Sequence, residues 1–257
     1  MIWITCRSYL FAGFICLLCF NCQESPLRAA DWSIPAGCDQ LILGIAPDWN
    51  SSHATLSFWE RDANGFWHKK ISNWPARLGR NGLAWGRGIS EAGESAGALV
   101  KHTGDGRSPA GVFALGDAYG YADTCPTKLA YHRVTEKDLW VEDESSRFYN
   151  AHAFTPHGGA PRNAWEKKQQ MKQNDHAHSL KLFIEHNAPP HAVPGMGCSL
   201  FFHIWRQNGA RPSSGCVVMP EESLMNMLKK LDPSKEPLLA LLPKSIYRSN
   251  RKNWNLP

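Results

Sequence analysis

The sequence predicts a mostly β protein with a few short helices. Short runs rich in β-branched and aromatic residues recur after the first thirty residues, clusters of Gly, Pro, Asn and Asp separate them, and one segment has a strong helical pattern. Short strands separated in this way are typical of an antiparallel sandwich or barrel. The predicted strands are Gln40–Ala46, Ala54–Glu60, Gly65–Lys70, Gly111–Gly116, Ser179–His186, Ser199–Trp205 and Pro237–Leu242.

The strong helical pattern starts at Pro220, four residues after Cys216. Acidic residues in the first turn and basic residues in the last turn both stabilise a helix through its dipole. One face of the predicted helix is apolar and consists of Leu224, Met227, Leu228 and Leu231. A second, short helix is predicted around residues 165–172, within the polar and basic stretch 150–175.

The first thirty residues differ from the rest of the chain. Tyr9 to Phe20 is an uncharged apolar run of twelve residues that follows Arg7 and precedes a polar segment. Because a helix needs about 18 apolar residues to span a bilayer, residues 1–30 are predicted to be a secretory signal peptide. A lipoprotein modified at Cys19 or Cys22 and an uncleaved anchor are the alternatives. Each alternative places the protein in the periplasm or cell envelope, with membrane association only through this leader.

Charge and length restrict the class of protein. The formal net charge is +5, and the leader contributes +1 (Arg7 and Arg28 minus Glu24), which leaves +4 for the remainder. This mild excess suits an anionic cell-wall polymer, whereas no Lys/Arg block is dense enough to predict nucleic-acid binding. Residues 31–257 are predicted to form a single domain, in which the stretch 150–175 is a possible lid insertion.

Cysteine usage leaves the redox state open. Four of the eight cysteines lie in the leader, and the others are Cys38, Cys125, Cys198 and Cys216. In an oxidising compartment four cysteines can form two disulfides. If one of them is a working thiol, the other three allow at most one disulfide, with three possible pairings.

The stretch FFHIWRQNGARPSSGCVVMPEE joins an apolar strand that contains His203 to a small-residue turn that ends in Cys216. A free thiol has a pKa of roughly 8.5 and needs a basic or cationic neighbour to act as a nucleophile. Turn-forming residues at Asn208–Gly209 and Pro212 predict a hairpin that brings Cys216 beside His203. The residues therefore indicate a Cys-His pair, with a buried inert cysteine or half of a disulfide as the alternative.

The turn before the cysteine also suits acyl transfer. Gly215 allows the backbone to approach a bound carbonyl, and the amides of Ser214, Gly215 and Cys216 are predicted to stabilise an oxyanion.

These motifs resemble the YkuD-type L,D-transpeptidase catalytic domain, whose signature is an apolar strand ending in His followed by S/T-x-G-C. The segments FFHIW and PSSGCVVMP match its order and spacing, and HTGDGRSPAGVFALGDAYGYA (102–122) resembles the family segment with a T/S-P-x-G-x-F core. The segments 139–150 and 184–187 and the helix after Cys216 extend the similarity over roughly residues 38–243. The resemblance implies an L,D-transpeptidase-like β-sandwich or barrel.

The resemblance also implies a role for each matching residue. Cys216 is the expected nucleophile, His203 the base, and the Ile204 carbonyl the group that orients the imidazole; Ser213 holds the S/T position. The implied substrate is a peptidoglycan stem peptide, which loses a terminal D-amino acid to form an acyl-enzyme thioester. Transfer to an amine of a second stem gives a cross-link, and transfer to a free D-amino acid exchanges the terminal residue. No metal or cofactor is implied.

Two positions depart from the common S-H-G-C-x-R motif, which has Ser214 and Val218 here in place of His and Arg. The resemblance implies that the missing Arg binds an anionic substrate, so Arg206, Arg211 or Arg107 is expected to replace it. The departures leave open L,D-carboxypeptidase, endopeptidase or amidase activity. A non-catalytic cell-wall-binding module with a disulfide-bonded Cys216 and a zinc peptidase are further alternatives.

Several other residues are assigned from the sequence alone. His186 and Tyr119 are expected to border the substrate site, with a structural role as the alternative for each. The eleven histidines show no metal-ligand spacing, and His176 and His178 are interpreted as solvated loop residues.

Overall fold

The computed structural model describes residues 32–90 and 97–257. The described residues form twelve strands, which are β1 (Gln40–Ala46), β2 (His53–Arg61), β3 (Trp67–Arg77), β4 (Leu83–Trp85), β5 (Ser108–Gly120), β6 (Tyr131–Arg133), β7 (Asp138–Trp140), β8 (His152–Phe154), β9 (Leu180–Ile184), β10 (Phe201–Ile204), β11 (Val217–Met219) and β12 (Leu238–Pro243). The fold is therefore mostly β, as the sequence predicts.

The helices are few and short. They are α1 (Ala164–Gln169), α2 (Glu221–Lys230) and α3 (Lys244–Asn250), with 3-10 turns at His176–His178, Gln207–Gly209 and Pro233–Lys235. Within the described ranges, no helix is long and apolar enough to cross a membrane. The predicted signal peptide, residues 1–30, lies outside the described residues.

Eight strands close into a barrel-like sheet in the order β12–β1–β2–β3–β11–β10–β9–β5, and β5 pairs with β12 to complete the ring. The sheet is mixed, because β12 runs parallel to β1 and β11 runs parallel to β10. The expectation of an antiparallel sandwich or barrel therefore has to be corrected at these two parallel strand pairs. The connection between β10 and β11 returns the chain to the end of the sheet where β10 begins, whereas β12 follows β11 only after helix α2 and then inserts beside β1.

Helix α2 packs against β10 and fixes the orientation of that strand. Its apolar residues Leu224, Met227 and Leu228 are fully buried in the same core cluster as Phe202 and Ile204. Burial of each such side chain stabilises the fold by about 1.5–3 kcal/mol. Because successive residues on a strand point to opposite faces, inward-facing Phe202 and Ile204 direct His203 to the opposite face of the sheet.

The predicted elements agree with the structure to within a few residues in most places. Strand β1 has the predicted bounds, and α2 starts one residue after Pro220. Helix α1 spans 164–169 instead of 165–172, and Asn163 caps it by accepting the Glu166 amide. The strands β2, β3, β5 and β12 differ mainly at their ends, β3 and β5 being longer than predicted.

Candidate active site

His203 lies on β10, and Cys216 immediately precedes the neighbouring parallel strand β11. Phe202 pairs with Val217 and His203 with Val218, so Cys216 stands one residue before β11 on the same face of the sheet as His203. Both side chains line the same two cavities. The predicted hairpin is wrong, because the chain crosses back along the barrel and enters β11 in the direction of β10.

The connection before Cys216 is held by backbone hydrogen bonds to the segment after β3. The Ser213 amide donates to Leu78 O, and the Arg80 amide donates to Ser213 O, each at 2.9 Å. The Ser213 hydroxyl accepts the Gly215 amide at 3.0 Å and donates to Cys216 O at 2.5 Å. Ser213 therefore shapes the turn itself, although it also lines one of the cavities.

Gly215 is required by its backbone conformation. Its φ is +155°, and a Cβ there would lie 3.1 Å from both Arg107 O and Leu200 Cδ2. The predicted oxyanion role of the Gly215 amide is not available in this structure, because Ser213 Oγ accepts that amide. Within the described part of the chain, the Ser214 and Cys216 amides have no acceptor and remain free to stabilise an oxyanion.

The His203 ring is oriented by the neighbouring backbone. Nδ1 donates to Ile204 O at 2.9 Å, which leaves the lone pair on Nε2 free to accept a proton. The side chain is buried, and burial, assisted by His178, Lys181 and Arg206, lowers the pKa of His203 to about 3. His203 is therefore a neutral imidazole at physiological pH, in the protonation state of a general base.

The Cys216 thiol is half-buried, and Sγ contacts Ser199 O at 3.5 Å. Burial raises the pKa of Cys216, while the Phe201 amide and the positive charge of Lys181 oppose this increase. Cys216 is thus a thiol at neutral pH, and its use as a nucleophile requires a base.

Two cavities meet at these residues. The narrow cavity, about 160 Å³, lies between the sheet and the segment 168–173 and is also lined by Glu142 and Lys181. The wide cavity, about 380 Å³, is lined by Arg206, Arg211, Ser214 and other residues of the connection before β11. Cys216, His203 and His178 line both. The thiol is therefore accessible from two sides of the site.

His178 lies at the site, and its interpretation as a solvated loop residue is wrong. Its ring centroid is 4.8 Å from that of His203, and its Nδ1 lies 2.7 Å from Asp175 Oδ1. Asp175 also pairs with Arg206 at 2.5 Å. Burial lowers the pKa of His178 although Asp175 opposes the decrease. In contrast, His176 is exposed and pairs with Glu221.

The three arginines expected to bind an anionic substrate differ in whether their guanidinium groups already have partners in the protein. Arg107 donates to Trp49 O and Leu83 O and is used in the framework of the barrel. Arg206 is paired with Asp175. Arg211 is exposed, lines the wide cavity and forms no ion pair with any described residue.

His186 and Tyr119 are not brought to the thiol. His186 is fully buried, accepts the Arg87 amide at Nδ1 and donates from Nε2 to Met196 O. Tyr119 is buried behind the narrow cavity, where its ring packs against Trp140 and Phe201. Both side chains are therefore part of the packed framework of the fold. The structure does not place them at the border of the substrate site, where the sequence predicted them.

Cys38, Cys125, Cys198 and Cys216 are all free thiols in the structure. In residues 32–90 and 97–257, no group of three or more His, Cys, Asp or Glu side chains has the geometry of a metal site.

No protein-family model, curated protein or solved structure matches this chain. A functional assignment must therefore be argued from the geometry around Cys216 and from the motifs in the sequence.

Proposed function

We propose that the protein is a cysteine-dependent L,D-transpeptidase with an L,D-transpeptidase-like barrel, acting on peptidoglycan stem peptides. One observation carries the proposal: the Cys216 thiol and the neutral His203 imidazole share one face of the sheet at the meeting point of two cavities. The free Nε2 of His203 makes the pair suitable for nucleophilic acyl transfer.

In the first half-reaction, His203 Nε2 accepts the Cys216 proton as the sulfur attacks the carbonyl carbon of the third stem residue. The amides of Ser214 and Cys216 stabilise the developing oxyanion. His203 then returns the proton to the amine of the terminal D-amino acid, the carbon–nitrogen bond breaks, and an acyl thioester remains on Cys216.

In the second half-reaction, an amine of another stem attacks the thioester, and the thiolate leaves. The two cavities support transfer, because donor and acceptor can approach the sulfur from different sides. Water in place of the amine gives the carboxypeptidase or endopeptidase reaction on the same groups. The free thiol of Cys216 supports catalysis over the wall-binding alternative.

Arg211 is proposed to bind the substrate carboxylate. Val218, which stands where the family motif often has Arg, lines the wide cavity together with Arg211. A guanidinium group without an ion-pair partner can form two parallel hydrogen bonds with a carboxylate.

A peptidoglycan substrate also fits the proposed location in the periplasm or cell envelope. The positive charge of +4 on residues 31–257 follows from +5 for the chain minus +1 for the leader. This charge favours contact with an anionic wall polymer.

The test is intact-protein mass spectrometry after incubation with purified disaccharide tetrapeptide, with product analysis in the presence and absence of an amine acceptor. Cys216→Ala removes the nucleophile. Cys198→Ala is the matched control, because Cys198 lines neither cavity and burial raises its pKa to about 11.

An acyl adduct that requires Cys216, together with a dimeric product, is the expected result. An adduct that yields only shortened monomers would assign the hydrolase instead. A folded, reduced protein that forms no adduct would refute both enzymatic assignments and favour the wall-binding module.

A further inference from the structure

A buried lysine lies opposite His203. Lys181 on β9 pairs with His203 on β10 across an antiparallel ladder, so the two side chains project from the same face of the sheet. Only 5% of Lys181 is exposed, and the residue lines the narrow cavity together with Cys216. Its ammonium group is therefore enclosed on the side of the thiol.

The ammonium group of Lys181 has one hydrogen-bond acceptor among the described residues. Nζ donates to Met171 O at 3.1 Å and lies 5.5 Å from the centroid of the Phe201 ring. Among residues 32–90 and 97–257, no carboxylate lies within 4.0 Å of Nζ. A buried cation without a counter-ion is unfavourable, so an anion inside the cavity would stabilise this arrangement.

We propose that Lys181 supplies the positive charge that stabilises the Cys216 thiolate, while His203 acts as a neutral base. The inference rests on the proposed function for the role of Cys216 as nucleophile, and it adds the group that offsets part of the rise in thiol pKa caused by burial. The Cys216 S–H bond breaks with its electron pair on sulfur, the proton passes to His203 Nε2 or to water, and Lys181 keeps its own proton.

The surrounding charges agree with this division of roles. Burial and the negative charge of Glu142 raise the pKa of Cys216. The Phe201 amide and the positive charges of Lys181 and Lys101 lower it. Burial lowers the pKa of Lys181 to about 8. The negative charges of four groups oppose this decrease, namely those of Cys216, Asp175, Asp138 and Glu142.

The histidines do not provide this charge. The rings of His178 and His203 are tilted against each other beside Arg206, and protonation of His203 would place a further cation among Lys181, His178 and Arg206. The thiolate–imidazolium pair that many cysteine enzymes hold at rest is therefore disfavoured here, and protonated His203 forms only transiently during the reaction.

The experiment measures the rate of Cys216 alkylation by iodoacetamide between pH 6 and 10, followed by mass spectrometry of the peptide that contains Cys216. In the reaction the thiolate displaces iodide and forms a thioether. Lys181→Met removes the charge and retains much of the side-chain volume. Lys168→Met is the matched control, because Lys168 lines the same cavity but is exposed.

For Lys181→Met, the alkylation rate at pH 7, where Lys181 is still an ammonium, is expected to fall roughly tenfold, as expected for the loss of one charge from a partly desolvated site. The limiting rate at high pH should be unchanged, which separates an electrostatic effect from altered access. Lys168→Met should retain the wild-type profile, because solvent screens an exposed charge.

An unchanged alkylation rate at pH 7 in folded Lys181→Met would overturn the proposal. Removal of an unpaired buried charge is expected to preserve folding, and Lys181→Gln provides a second neutral variant with a polar end group. Alkylation requires no peptidoglycan, so failure of this inference is distinguishable from failure of the transpeptidase assay.

Discussion

The hydroxyl of Ser108 donates a 2.6 Å hydrogen bond to the carbonyl oxygen of Gly215, the residue before Cys216. Ser108 Oγ also accepts the Gly79 amide at 2.9 Å. Ser108 is fully buried and therefore ties the start of β5 to the turn that carries the proposed nucleophile. The position of Cys216 depends on residues distant from it in the sequence.

We expect Ser108→Ala to lower the free energy of unfolding by about 1–3 kcal/mol, because it leaves buried backbone groups of Gly79 and Gly215 without a partner. Urea denaturation measures this change. Ser72→Ala is the control, because Ser72 is exposed on β3 and should have almost no effect. Equal stability of the two variants would show that the buried hydroxyl does not hold the turn.

His203→Gln is expected to lower kcat for the proposed acyl transfer by about 10²–10⁴-fold, the usual contribution of a general base. The amide side chain cannot accept the Cys216 proton at neutral pH. His176→Gln is the matched control, since His176 is exposed and pairs with Glu221. Steady-state kinetics of both variants give the measurement, and a His203→Gln variant with the wild-type kcat would exclude His203 as the base.

The buried His186 is expected to make the protein less stable as the pH falls. Burial lowers the pKa of His186 from 6.5 to about 4 in the folded protein. Between these values the unfolded chain binds a proton that the folded chain does not bind, so the free energy of unfolding decreases as pH falls through this window. Above pH 6.5 both states are neutral at His186, and its contribution to the pH dependence disappears.

In His186→Gln, the slope of unfolding free energy against pH near pH 5 should be smaller by up to about 1.4 kcal/mol per pH unit. Urea titrations at pH 5, 6 and 7 measure the slope. The exposed His68 provides the control, and His68→Gln should retain most of the wild-type slope. A His186→Gln slope equal to that of the wild type would contradict neutral burial of this ring.

Arg211→Ala is expected to raise KM for the tetrapeptide donor by about tenfold, as for loss of one charge-assisted carboxylate contact worth about 1.5 kcal/mol, with a smaller effect on kcat. Arg248→Ala on α3 is the control, because Arg248 is exposed and lines neither cavity. A selective effect on KM supports carboxylate binding in the wide cavity. An unchanged KM would remove Arg211 from the substrate site.

Local sequence patterns predict most of the strands and the Cys-His pair. A continuous apolar run bounded by turn residues defines β1 well, and the apolar face of α2 identifies the helix that packs on β10. These signals depend on neighbours in the chain. They do not specify which strands pair, and for this reason the parallel entry of β11 beside β10 could not be predicted.

The residues around the thiol illustrate the same limit. Lys181 interrupts the apolar run of β9, and such a charged residue in a strand expected to be buried is a signal of a special environment. Asp175 caps the 3-10 turn that contains His178, and this local pattern is readable in the sequence. Their approach to His203 depends on how the turn folds against β10, which no local pattern specifies.

Barrel closure imposes an order on the appearance of activity. Strand β12 is inserted between β1 and β5, although it follows Cys216 by more than twenty residues in the chain. A nascent polypeptide that has not yet released residues 238–243 cannot complete the ring that supports β10 and β11. The barrel that carries the thiol and its base is therefore complete only when nearly the whole chain is available for folding.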